Sequence, residues 1–168
     1  MNPFTWSFRM QCLLGVAVCA TLLGYAFHTQ FRDVNPLDPC PLCIFQRIAF
    51  FATGVVFLLG ALHGPTKAWG RRIYGLLALI ATVAGTVVAG RHVWITTLPP
   101  DQVPSCGAPF EFMRQNMTTF KLIQKVMTGS GECAKVDWTF LGLSMPAWSL
   151  IWLIALALWA GYVAFRRR

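Results

Sequence analysis

A chain of 168 residues suffices for one compact unit. Hydrophobic residues make up 56% of it and charged residues only 12%, about half the charged share of ordinary soluble domains, which excludes a water-exposed globule. The net charge of +8 does not indicate nucleic acid either: the basic residues form no stripe but stand at the ends of apolar blocks, where lysine and arginine orient membrane segments.

In chain order, the first expected span covers about residues 12–30. Eighteen helical residues cover about 27 Å, close to the hydrocarbon thickness of a bilayer. Gly24-Tyr25-Ala26 would also pass as a small-residue cleavage site of a signal peptide, but the apolar run is long for a signal core. Cys12 and Cys19, seven apart within it, read as small buried apolar thiols.

A short polar loop, 31–43, carries Asp33, Asp38 and Pro39 and ends in Cys40-Pro41-Leu42-Cys43. The second expected span follows at about 44–62. Pro41 suits the first position of a helix, where its missing N–H costs nothing. Cys43 then falls in the first turn, and Arg47 shares its face one turn on.

Lys67, Arg71 and Arg72 mark the next loop, and the third span is expected at about 73–90, rich in the small residues that let helices approach closely in lipid. Arg91, His92 and Trp94 mark its far end. The long polar segment, 91–146, holds Cys106 and Cys133. Within it Met113, Met117, Phe120, Ile123 and Met127 recur at helical spacing, which predicts a short amphipathic helix. Such a helix lies in a membrane interface or packs on a small extramembrane core. The last span, about 147–165, ends in Arg166-Arg167-Arg168.

Four spans place both termini and the 63–72 loop on one side. That side carries Arg9, Lys67, Arg71, Arg72 and Arg166 to Arg168 and no acid, while all six acids fall in the other two loops. The positive-inside rule therefore puts both termini in the cytoplasm and the two acid-bearing loops outside. The expected architecture is an all-α, four-transmembrane-helix bundle forming a single domain over 1–168, with Cys40, Cys43, Cys106 and Cys133 facing outward.

Outward-facing cysteines are commonly structural disulfides. A Cys106–Cys133 bond would close a loop of about 28 residues, worth about 3.6 kcal/mol by chain entropy. The close pair closes too small a loop for that purpose, and its two-residue spacing is typical of redox-active thiols. Structural zinc sites usually pair two short cysteine spacings. The 106/133 pair lacks one, so no metal is expected. Haem attachment through Cys-x-x-Cys-His fails because Ile44 follows Cys43, and axial ligation by His28 and His92 rests on two isolated histidines. The reactive form of a thiol is the thiolate, which at Cys43 the positive end of a helix and Arg47 would both favour. With no flavin or nicotinamide fingerprint present, a thiolate at the bilayer edge needs a lipid-soluble acceptor, for which a quinone is the obvious choice. Arg47 would otherwise be an interfacial arginine reaching for lipid phosphate.

Cys40-x-x-Cys43-x-x-x-Arg47, the run Gly131-Glu132-Cys133-Ala134, and Trp138 with Phe140-Leu141-Gly142-Leu143-Ser144-Met145-Pro146-Ala147-Trp148 together resemble the DsbB family over nearly the whole chain. The resemblance implies a bacterial inner-membrane oxidoreductase with periplasmic cysteines, on the route that runs from DsbA through DsbB to membrane quinone. It implies redox-active disulfides Cys40–Cys43 and Cys106–Cys133, with Cys106 attacked by the reduced periplasmic thiol oxidase. Cys133 would exchange with Cys40. Cys43, Arg47 and His92 would face the quinone, ubiquinone or menaquinone, His92 by its position alone. The vitamin K epoxide reductase group shares the four-helix logic but carries its loop cysteines before the Cys-x-x-Cys span, whereas here they follow it. A four-span scaffold with two structural disulfides is the non-enzymatic alternative.

Overall fold

Ser7 opens the first helix by accepting the Met10 N–H on its hydroxyl at 3.4 Å. In the structure, a computed structural model, the described residues are 6–33, 38–99, 101–103, 110–128, 131–136 and 138–166; Cys106, Arg167 and Arg168 lie outside them. Four helices are long and apolar enough to cross a membrane: α1 (Phe8–Gln30), α2 (Pro41–His63), α3 (Ala68–Thr96) and, last in the chain, α7 (Met145–Phe165). The protein is a four-helix, multi-pass membrane bundle.

Each helix runs past the apolar block that predicts it. Helical hydrogen bonding does not stop where hydrocarbon ends, so Trp69, Arg71 and Arg72 join the start of α3, and Arg91 to Thr96 its end. With 29 residues, α3 is about 43 Å long, against a hydrocarbon layer of about 30 Å. Its surplus last turns form a platform for the second loop. Gly64, at φ 54°, ends α2 as a left-handed cap, its N–H bonded to the Gly60 carbonyl.

In the bundle α2 packs against α1 and α3, and α3 packs most extensively against α7. The shared core holds Cys12, Cys19, Phe57, Ala78, Leu153 and Ala160. Small residues set the spacing, as expected where lipid supplies no hydrophobic drive between helices. A Cβ added at Gly75 would stand 2.6 Å from the Ala164 Cα, so α3 and α7 touch backbone to backbone there. One at Gly85 would meet the Ala49 Cβ at 2.7 Å. Cys12 and Cys19 face Gly60 and Gly54 of α2, as packing thiols within the bundle. By contrast α1 and α7 meet sparsely, though the Trp159 indole N–H reaches the Gln11 carbonyl at 3.1 Å.

The expected amphipathic helix is two helices, α4 (Phe110–Asn116) and α5 (Thr119–Thr128). The Met117 N–H closes α4 on the Met113 carbonyl, the Asn116 side chain caps the Phe112 carbonyl, and Thr118 supplies the first acceptor of α5. The chain turns between them, so the five apolar positions do not share one face. Met113 is buried with Leu122 and Val126, whereas Phe120 and Ile123 point outward. With Leu42, Ile95 and Cys133 of the four-residue helix α6 (Gly131–Ala134), the buried three form a second core over the ends of α2 and α3. Arg91 fastens α5 there through the Met127 and Thr128 carbonyls, each at 3.1 Å.

Two-residue strands β1 (Thr139–Phe140) and β2 (Leu143–Ser144) then pair antiparallel, Phe140 opposite Leu143. Leu141 and Gly142 turn between them with φ of 51° and 78°, the double positive pattern of a tight hairpin. Ser144 leads into α7, with Pro146 in its first turn.

Candidate active site

Pro41 and the cap at Cys40 decide where α2 begins, and with it the cysteine geometry. The Cys40 sulfur accepts the Cys43 N–H at 3.4 Å, standing where serine or aspartate usually caps a helix. That fold-back brings the two sulfurs to 3.1 Å, with the Cys40 thiol donating to the Cys43 sulfur. A disulfide needs about 2.05 Å, so the two sulfurs stand one small adjustment from the geometry of a bond.

His92, buried near the end of α3, lies beside both sulfurs. Its Nε2 is 3.7 Å from the Cys40 sulfur and its Nδ1 4.0 Å from the Cys43 sulfur. Nε2 also lies 3.1 Å from the Cys133 carbonyl oxygen. A carbonyl can only accept, so Nε2 carries the proton. Nδ1 then presents a lone pair, which receives the Gln46 amide N–H at 2.9 Å. A chain of hydrogen bonds thus runs from α2 through α3 to the Cys133 loop. Cys133 is 1% exposed and shares its apolar cluster with Cys40 and Leu42. The second loop's cysteine is therefore packed beside the first loop's pair, although 90 residues separate Cys43 from Cys133.

Arg47, one turn after Cys43, is held by the end of α1. It donates to the Ala26 carbonyl at 3.0 Å and to the Gln30 side chain, with its guanidinium 5.2 Å from the Phe27 ring centre. A cation suits the last turn of α1, where unpaired carbonyls concentrate negative charge.

Cys43 and Arg47 open on a cavity of about 540 Å³ in the gap between α1 and α7. Its walls are mostly apolar: Leu22 and Ala26 of α1, Phe50 of α2, and Trp148 and Trp152 of α7. Trp138 and Phe140 also line it, stacked with centroids 6.1 Å apart, and Tyr25 meets Trp138 edge-on at 6.1 Å. The Trp148 indole N–H holds the Phe140 carbonyl at 3.0 Å, which fixes the hairpin to α7. Arg47 is the cationic donor among these walls. This is how small-molecule sites are usually built: apolar lining with a few placed polar groups.

Of the sequence-expected residues, Cys40, Cys43, Arg47, His92 and Cys133 converge on this region, with His92 on the Cys133 side of the pair. Cys106 lies outside the described residues. His28 is exposed on α1 while His92 is buried, so nothing in their placement favours shared axial ligation. Gln46, which no motif singles out in the sequence, touches both His92 and the cavity. Its signal was a buried amide three residues after Cys43 in an apolar helix, where an unpaired polar group would be costly. The aromatic wall left no comparable trace, because tryptophan near a membrane surface also reads as an interfacial anchor.

A family model described as "Disulfide bond formation protein DsbB" matches residues 8–163. The chain is 54% identical over 168 residues to a disulfide bond formation protein B of Xanthomonas axonopodis pv. citri, covering 100% of this chain and 96% of the relative. Its counterpart from Xanthomonas campestris pv. campestris is 53% identical over the same shares. The Xylella fastidiosa protein of that name is 46% identical over 166 residues, 99% of this chain and 95% of the relative.

Proposed function

Because the chain belongs to the DsbB family of disulfide bond formation proteins, we propose that it reoxidises a periplasmic DsbA-like thiol oxidase and delivers the electrons to membrane quinone. Family membership makes it a disulfide-forming oxidoreductase of the membrane. The finer assignment draws on one observation above all: Cys43 borders the apolar cavity, while Cys40 borders the core that holds Cys133. The close pair thus stands between a lipid-type site on one side and the second loop's cysteine on the other.

Reduced partner attacks Cys106 of a Cys106–Cys133 disulfide, forming a mixed disulfide and releasing Cys133 as thiolate. The partner's second thiol resolves that bond and leaves as the oxidised partner. Cys133 attacks Cys40 of the oxidised close pair, expelling the Cys43 thiolate. Cys106 then displaces Cys40 from Cys133, which restores the second disulfide and leaves Cys40 and Cys43 reduced. Two electrons have moved between pairs, and each exchange breaks one S–S bond as it makes another. A quinone bound in the cavity supplies the two-electron, two-proton acceptor that returns the close pair to disulfide. Arg47 fixes a positive charge beside the Cys43 thiolate and at the cavity wall. The Gln46–His92–Cys133 chain holds the second loop against Cys40, so attack needs little reorganisation.

The charge asymmetry of the sequence supports cytoplasmic termini and outward-facing cysteine loops, which in a bacterial inner membrane would open to the periplasm. The test is the double variant Cys40→Ser/Cys43→Ser in proteoliposomes with reduced partner and quinone. Turnover should vanish while the helical circular dichroism stays that of the parent. Sustained partner oxidation by this variant would overturn the proposal.

A further inference from the structure

The close cysteine pair and His92, which serve the proposed relay, also form a ligand set for a metal ion when the pair is reduced. Among the described residues, Cys40, Cys43 and His92 are the group whose donor atoms all lie within 4.8 Å of one another. We propose that the reduced protein binds a zinc ion through the Cys40 and Cys43 sulfurs and His92 Nδ1, a metal-locked state of the reduced centre.

Geometry carries the proposal. Zn–S bonds of about 2.3 Å and Zn–N bonds of about 2.05 Å in a tetrahedron require edges of about 3.8 Å between sulfurs and about 3.6 Å between sulfur and nitrogen. The sulfurs stand at 3.1 Å, and the Cys43 sulfur is 4.0 Å from Nδ1. These two edges straddle the required ones, while the Cys40 sulfur, now 3.7 Å from Nε2, has to rotate toward Nδ1 to complete the set. The imidazole is already in the right tautomer: Nε2 holds the proton, and Nδ1, 4.0 Å from the Cys43 sulfur, has a lone pair that now receives the Gln46 amide N–H. A metal-bound histidine usually donates its other N–H to a carboxylate or backbone carbonyl, which fixes the ring. Here Nε2–H is already bonded to the Cys133 carbonyl at 3.1 Å. Gln46, displaced from Nδ1, can turn its amide into the cavity it lines. Two thiolates and an imidazole are borderline-soft donors that suit zinc, and three protein ligands leave one tetrahedral position for water.

Binding is not a redox step. Zinc displaces two protons from the two thiols and no electrons move. With both sulfurs committed to the metal, the pair neither closes to a disulfide nor exchanges with Cys133. Zinc excess in the periplasm would then hold the enzyme in its reduced state.

Cobalt(II) titration of the full-length, fully reduced protein in detergent under anaerobic conditions tests this. Expected is one Co2+ per chain, with thiolate-to-cobalt charge-transfer absorption and intense tetrahedral ligand-field bands, both removed by Zn2+. The bands should be lost when the close pair is oxidised and retained in Cys106→Ala. His92→Ala should weaken binding at least about tenfold, and His92→Cys should restore it. If the histidine variants do not fold, the cobalt-loaded wild type decides. It should show a hyperfine-shifted, exchangeable imidazole N–H proton resonance, and a spectrum without one contradicts the site. Absence of the bands, or bands that survive His92→Ala but vanish in Cys106→Ala, overturns the proposal. The readout involves no turnover, so it is independent of which acceptor oxidises the pair.

Discussion

Arg47 separates the chemistry of the site from its support. Two hydrogen bonds and a ring contact bind its guanidinium to α1, and its charge faces the cavity. Arg47→His keeps a ring of donors but loses the reach to both partners. A charge-assisted hydrogen bond is worth about 1.5–3 kcal/mol, so the apparent quinone KM should rise by about tenfold or more while expression and helix content hold. An unchanged KM with reduced expression would make Arg47 a purely structural clamp. Gln46 yields a sharper expectation. In Gln46→Leu the His92 Nδ1 loses its donor and the imidazole loses one of its two anchors, so the Cys133 loop should sit less firmly over Cys40. Exchange between the two disulfides, followed by acid quench and alkylation, should slow several-fold while reaction of Cys106 with the partner is unchanged. The cysteines and Arg47 were legible in sequence because spacing on one helix fixes their relation. Neither the His92–Cys133 contact nor the role of Gln46 was, since each depends on where two distant segments dock.

Among the elements, the bundle was legible and the second loop only in part. Four apolar blocks with charged ends predict four spans directly. The packing behind them follows from small residues, and Gly75 is its sharpest point. Gly75→Leu puts a side chain into the Ala164 backbone, and overpacking of this kind costs about 1–3 kcal/mol. The thermal midpoint in detergent should fall accordingly, with quinone KM little changed in the surviving fold. The loop core behaves differently. Leu42 is fully buried between the cysteines and packs against Ile95 and Cys133. Leu42→Ala should cost about 2–5 kcal/mol of local stability, read as faster hydrogen exchange in α5 and α6 while the four spans stay protected. The apolar spacing over 113–127 predicted one helix. The turn at Met117–Thr118 gives two, because Thr118 supplies an acceptor that starts a new helix rather than extending the old one. The result serves both readings of that segment: Leu122 and Val126 pack on a core, while Phe120 and Ile123 are left outward, where a bilayer interface would receive them.

On the scale of the whole molecule, α1 and α7 leave a gap, the hairpin lines part of it, and Cys43 of the close cysteine pair opens on its wall. The overhanging end of α3 carries the second loop to the other side of the same pair. A sequence with two cysteine pairs on one face suggests a relay; the fold brings one end of it, Cys133, against the pair whose other side meets an apolar chamber. The most direct measurement is anaerobic turnover of the purified protein with reduced DsbA-like partner and a defined ubiquinone, following quinone absorbance and partner disulfide together. The account predicts one quinone reduced per partner disulfide formed, abolished by Cys43→Ser, with a Cys106-linked partner adduct accumulating when the partner lacks its second, resolving cysteine. Partner oxidation without matching loss of quinone, or matched turnover that persists in Cys43→Ser, would contradict it.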